Sequence, residues 1–140
     1  MRFAGLLRCD VWKTNCSAQT PPYPWGYPAG TCTESNHNST LSGKGCGTGL
    51  TDAVDARPKG KSPYALYAMK GDVFTWLADW YDSGYYDSAP GTNPQGPASS
   101  PSGEKSMRGL GWSDAMEPAW TRWKYDPKAV SSTIGVRCAY

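Results

Sequence analysis

Apolar and aromatic positions crowd into one stretch of this chain, Tyr64 to Tyr81, and thin out into glycine, proline and serine on either side. Large aromatic side chains bury the most area per residue, so a core has to start here. Within the stretch, Val73, Thr75, Leu77 and Asp79 alternate with Phe74, Trp76, Ala78 and Trp80, the period of a strand with one heavily aromatic face. A helical stripe of Val73, Trp76, Leu77 and Trp80 is the competing reading. Gly71 just ahead, the β-branched and aromatic content and the modest length favour the strand.

Elsewhere the pattern predicts short elements. Residues 1 to 12 suit a helix burying Phe3, Leu6, Leu7 and Val11, broken at Thr14-Asn15-Cys16-Ser17. Pro21 to Arg57 reads as loop, and so long a structureless stretch is uncommon unless it binds something or is stapled. Asp82 to Pro90 turns the chain, and residues 91 to 106 form a Gly/Pro/Ser surface loop. Met107 to Trp112, Trp120 to Tyr125 and Thr133 to Tyr140 read as three further strands. The expectation is a single α+β domain in which irregular structure dominates.

Composition sharpens this picture. Among 140 residues, 16 glycines and 12 prolines interrupt the chain too often for long elements. Seven tryptophans and nine tyrosines against two phenylalanines suit a thin, partly wet core and also a binding surface. With 14 basic and 12 acidic residues, net +2 and no basic cluster, nucleic acid and anionic membranes are poor partners. No run is long enough for a membrane span, and the apolar run in Met1 to Arg8 is too short for a signal peptide.

Five cysteines point to an oxidising, extracytoplasmic or secreted setting. Cys32 and Cys46 flank a Gly/Ser/Asn-rich loop whose closure by a disulfide stabilises by roughly 3 kcal/mol in the chain-entropy model. The single histidine, His37, reads as a solvated loop residue rather than a metal ligand. It also leaves no Ser-His-Asp constellation to assemble. Asp79 and Asp82 read as capping or solvated carboxylates. Asn38-Ser39-Thr40 matches a glycosylation acceptor, a very short pattern.

The central stretch from Pro63 to Tyr81 resembles the hallmark of the formylglycine-generating enzyme, or sulfatase-modifying factor, family. Its usual form there is Pro-Tyr-Gly-Leu-Tyr-Asp-Met-Ala-Gly-Asn-Val-Trp-Glu-Trp-Val-Ala-Asp-Trp-Tyr. Other blocks follow in the family's order: Tyr23-Pro24-Trp25-Gly26 upstream, Asn93-Pro94-Gln95-Gly96-Pro97 downstream, then Arg108-Gly109-Leu110-Gly111-Trp112 and Ile134-Gly135-Val136-Arg137-Cys138.

The resemblance implies a loop-rich fold related to C-type lectins, of which residues 1 to 140 would be the C-terminal portion, truncated at the N-terminus. A missing half implies an exposed apolar face and association. It also implies a disulfide from Cys138 to Cys9 or Cys16, with Cys9 preferred, and calcium sites that map onto Asn36 or Asn38 and onto Ala68, Gly71, Val73 and Thr75. The charged ligands of that second site are gone, so calcium binding is expected to be weak.

Catalytic members bind copper(I) and oxygen through two cysteines that would fall at Asp114 and Ala119. Neither supplies the soft sulfur that copper(I) prefers, so copper is not expected and no catalytic residue is assigned. The functional expectation is a noncatalytic binding or structural module, with a peptide or protein ligand held by Met116, Trp120, Trp123, Lys124 and Tyr125 crowded around one end. Two alternatives are a formylglycine-generating oxidase of sulfatase cysteines and a retroelement-diversified ligand-binding protein, whose variable residues would occupy this part of the fold. A third is a decayed remnant without activity.

Overall fold

A computed structural model describes residues 21–39 and 43–138. The helix expected over residues 1 to 12 lies outside them. A mixed four-stranded sheet organises the described residues, with spatial order β3-β2-β1-β4. Its strands are β1 (Phe74–Trp80), β2 (Lys105–Gly109), β3 (Trp123–Tyr125) and β4 (Ile134–Gly135). β1 lies antiparallel to β2 and parallel to β4, and β2 lies antiparallel to β3. A four-residue helix, α1 (Tyr85–Ser88), interrupts the turn after β1, and a 3-10 turn covers Pro58–Gly60.

The alternation in the central stretch therefore resolves as strand. Cross-strand pairing places Trp76 opposite Met107 and Met107 opposite Trp123. Together with Phe74 and Leu110 these residues form one apolar face, against which Met116 and Ile134 also pack. Phe74 meets the Trp123 ring edge-on at 5.5 Å. The register of β1 against β2 shifts between Trp76 and Trp80, so the strand bends before its last residue. Strands expected to start at Met107, Trp120 and Thr133 are present but shorter or displaced: β2 begins two residues earlier, at Lys105, and β3 and β4 shrink to three and two residues.

Only Phe74, Met107 and Leu110 are buried hydrophobic residues among those described, whereas Ser35, Asn36, His37, Ser62, Lys70 and Ser106 are buried and polar. Hydrogen bonds must therefore hold much of the interior, because an unpaired buried polar group is costly. The loop from Pro21 to Arg57 folds without helix or ladder strand in its described part, and the Cys32–Cys46 disulfide staples it across 14 residues. Burial corrects the expectation for His37, which is 3% exposed and hydrogen-bonded through Nδ1–H to the Ser35 carbonyl at 3.1 Å. Burial lowers its pKa, so the ring is held neutral inside the staple.

Gly71 fixes the approach of this loop to the central stretch. It adopts φ +84°, and a Cβ there would lie 2.0 Å from Ser35 Oγ and 2.7 Å from the Asn36 carbonyl oxygen. Gly71→Ala is expected to lose about 3 kcal/mol of stability from positive-φ strain and the collision, measured by urea denaturation. Replacing Cys32 and Cys46 by alanine is expected to cost a similar amount, about 3 kcal/mol, with the largest rise in amide exchange in the surrounding loop.

Candidate functional site

The stapled loop and the central stretch meet at two short segments, Ser35-Asn36-His37 and Lys70-Gly71-Asp72. Ser35 Oγ donates to the Lys70 carbonyl at 2.9 Å, and Asp72 N–H donates to the Asn36 carbonyl at 2.8 Å. Asn36 Nδ2 donates to the Leu50 carbonyl at 2.9 Å and to Asp72 Oδ1 at 3.2 Å, while Asn36 Oδ1 accepts Cys46 N–H at 3.2 Å. Asp72, itself in the left-handed region at φ +71°, also accepts Asp52 N–H at 2.7 Å. Arg57 closes the network with a 2.6 Å Nε–H bond to Asp52. A notch opens between these segments, lined by Glu34, Asp52, Val54, Arg57 and Asp72.

Three of the four expected calcium donors accept hydrogen bonds within the fold. Asn36 Oδ1 is used as described, Asn38 Oδ1 accepts Gly43 N–H at 3.0 Å, and the Gly71 carbonyl accepts Val73 N–H at 3.0 Å. Calcium takes six to eight oxygens, several of them charged. Asn36, Asn38, Gly71 and Val73 contribute no charge, and a cation would have to compete with hydrogen bonds that hold the fold.

One functional candidate was missed from sequence: Lys70. Its side chain is 3% exposed, and Nζ donates to the Gly109 carbonyl at 3.0 Å and the Pro118 carbonyl at 3.2 Å. Burial lowers its pKa to about 8, with Glu117 opposing the shift and Arg108 adding to it. The available signal was a charge set inside the densest apolar run of the chain. Through Pro118, Lys70 ties the central stretch to the segment running from β2 to β3, which contains Asp114 and Ala119. Asp114 lies against Gly111, where a Cβ would come within 2.6 Å of Asp114 Oδ2, and burial raises its pKa. Asn38 N–H donates to the Asp114 carbonyl at 2.9 Å, and Ala119 N–H donates to the Pro22 carbonyl at 2.7 Å.

The five expected ligand-binding residues differ in burial. Met116 and Trp123 pack against the apolar core, Trp120 is half-buried, and Lys124 and Tyr125 are exposed. Strand alternation separates Trp123 from Lys124, since β3 turns the first inward and the second the opposite way, while Tyr125 is exposed at the end of the strand. What Lys124 joins is a cluster of cations and rings that sequence spacing did not reveal. Lys105 Nζ lies 4.3 Å from the centre of the Trp80 ring, and Lys124 Nζ pairs with Glu104 at 2.6 Å. The Arg122 guanidinium lies 4.9 Å from the Tyr81 ring and 4.0 Å from the Tyr86 ring. Arg108 donates to the Trp120 carbonyl and, at 3.5 Å, to the Tyr86 hydroxyl.

Cys138 is exposed and has no disulfide partner among the described residues, and Cys9 lies outside them. No group of three or more His, Cys, Asp or Glu side chains arranged to hold a metal occurs among the described residues. No helix among them is long and apolar enough to cross a membrane.

The Lys70 geometry predicts a distinctive pH dependence. Its folded pKa lies below the unfolded one, so the unfolded chain binds more protons between about pH 8 and 10.4 and stability rises with pH across that window. The gain attributable to Lys70 is about 3 kcal/mol at most. Lys70→Met is expected to abolish that increment, measured as the difference between wild-type and variant denaturation midpoints over the window.

Comparison with known proteins bears on these elements together. Among solved structures, PvdO from Pseudomonas aeruginosa superposes with a TM-score of 0.63 at 18% identity, covering 85% of this chain and 45% of PvdO, a likeness of fold. Among curated proteins, the serine/threonine-protein kinase pkn1 of Chlamydia pneumoniae is 37% identical over 82 residues, 56% of this chain and 13% of the kinase. The corresponding protein of Chlamydia caviae is 39% identical over 82 residues, with the same coverage. The chain thus spans about one-eighth of the curated relatives it matches. Residues 11–140 match the sulfatase-modifying factor enzyme 1-like domain, and the chain belongs to that family.

Proposed function

We propose that this chain is a noncatalytic binding module of the sulfatase-modifying factor family, acting on a peptide or protein ligand. The carrying observation is the seat of the Lys70 ammonium on the Pro118 carbonyl, beside Ala119. On the family resemblance, the segment from Asp114 to Ala119 would present copper-binding sulfur. Here it presents a carboxyl packed against Gly111 and a methyl group, with a buried ammonium on the Pro118 carbonyl that precedes the methyl-bearing Ala119. Copper(I) takes soft thiolates, and a neighbouring ammonium opposes any cation. Cys32 and Cys46 are consumed by their own disulfide.

Binding in place of chemistry suits the rest of the surface. Trp80, Tyr81, Tyr86 and Arg122 in the cation and ring cluster are residue types enriched at recognition surfaces. The disulfide supports an extracytoplasmic setting. The likeness of fold to PvdO supports a loop-rich mixed sheet of the kind that the resemblance relates to C-type lectins.

Oxygen consumption tests the proposal directly. The disulfide-intact chain, supplied with copper(I) and a cysteine-containing peptide, is expected to consume oxygen no faster than copper and peptide alone. Turnover that depends on the protein would overturn the noncatalytic reading.

A further inference from the structure

The two sulfurs of the Cys32–Cys46 staple sit in opposite surroundings. Cys32 Sγ lies 3.2 Å from the Ser39 hydroxyl, and a bonded sulfur carries no hydrogen, so the hydroxyl donates to it. Cys46 Sγ instead faces two oxygens that can only accept, the Ser35 carbonyl at 3.3 Å and the His37 carbonyl at 3.5 Å. A negative charge on sulfur is therefore favoured at Cys32 and opposed at Cys46. The nearby Glu34 carboxylate is taken up by the Thr31 N–H and by the Thr31 and Thr33 hydroxyls. Both cysteines are half-buried, and Thr31, Thr33, Ser39, Lys44 and Gly47 beside them are exposed, which brings the bond within reach of a small thiol from solvent.

The loop is also held closed by contacts that do not involve the S–S bond. Cys46 N–H donates to Asn36 Oδ1 at 3.2 Å, and Gly43 N–H donates to Asn38 Oδ1 at 3.0 Å. Gly45 is buried, and a Cβ there would lie 2.9 Å from both Asn36 Oδ1 and the Trp112 carbonyl oxygen. The staple stabilises mainly by constraining the unfolded chain, so opening it leaves the two sulfurs near each other in the folded one. We propose that Cys32–Cys46 is a reversible exchange site for an external dithiol, with Cys32 as the departing sulfur. One thiolate of the dithiol bonds to Cys46 Sγ as the S–S bond breaks, and the electron pair passes to Cys32 Sγ under the Ser39 hydroxyl. The second thiolate attacks the reagent sulfur bonded to Cys46, closing the reagent's own disulfide and releasing Cys46. Cys46 then takes up a proton and donates to the Ser35 and His37 carbonyls. The protein gains two thiols, the dithiol is oxidised to its disulfide, and both protons come from the dithiol. The exchange is stoichiometric and stands apart from the binding-module reading.

Dithiothreitol acting on the full folded chain without denaturant is the probe, read by iodoacetamide alkylation and peptide mapping by mass spectrometry. The rate of Cys32–Cys46 reduction is expected to rise in proportion to dithiothreitol while tryptophan fluorescence keeps its folded signature. Once the reagent is removed, brief alkylation is expected to label Cys32 about fivefold faster than Cys46 or more, because the thiolate is the reacting form. Ser39→Ala is expected to slow the reduction about fivefold, the effect of losing one hydrogen bond to the departing sulfur. The order of labelling in the wild type carries the test if that variant does not fold. A reduction rate that levels off at the rate of unfolding, faster labelling of Cys46, or reduction of Ser39→Ala as fast as the wild type each overturns the assignment.

Discussion

The close approach of Gly71 to the backbone of Ser35 and Asn36 is the constraint from which the rest of the structure follows. With no Cβ at Gly71, the stapled loop comes within hydrogen-bonding range of the central stretch, and Ser35 and Asn36 anchor to Lys70 and Asp72. That contact fixes where Lys70 leaves the backbone. Its ammonium can then reach across to Gly109, at the end of β2, and to Pro118 beyond it. A loop, a strand end and a distant connection are in this way held by one glycine and one lysine.

Such an arrangement compensates for a small apolar core. Among the described residues only three hydrophobic side chains are buried, and the interior there is completed by serine, asparagine, histidine and lysine side chains with defined partners. Polar networks of this kind reinforce one another when every member is satisfied and are costly when one is not. Lys70 sits at the edge of tolerance: it is hydrogen-bonded, but to neutral carbonyls, and burial lowers its pKa.

The segment between β2 and β3 is pinned through Asp114, Pro118 and Ala119 to elements far away in sequence, which makes it a structural strap. Cations and aromatic rings collect where β1 runs into α1 and β3 begins. There the guanidiniums of Arg108 and Arg122 meet the tyrosines that follow the strand.

The chain's own pattern was enough to place β1, the loop character of Pro21 to Arg57 and the Cys32–Cys46 staple, because alternation, glycine and proline content and cysteine spacing are local properties. The motif order was enough to indicate the family. Burial of His37, the reach of Lys70 and the division of Met116 and Trp123 from Lys124 were not legible, since each depends on which distant backbone passes nearby. Strand alternation would have separated Trp123 from Lys124 had the limits of β3 been known, but three residues are too few to carry a period. The convergence of Arg108 and Arg122 on Tyr86 joins positions far apart in sequence, and only the tertiary fold, by pairing β1 with β2 and β2 with β3, sets charges that are unremarkable in the sequence against one another in a low-dielectric space.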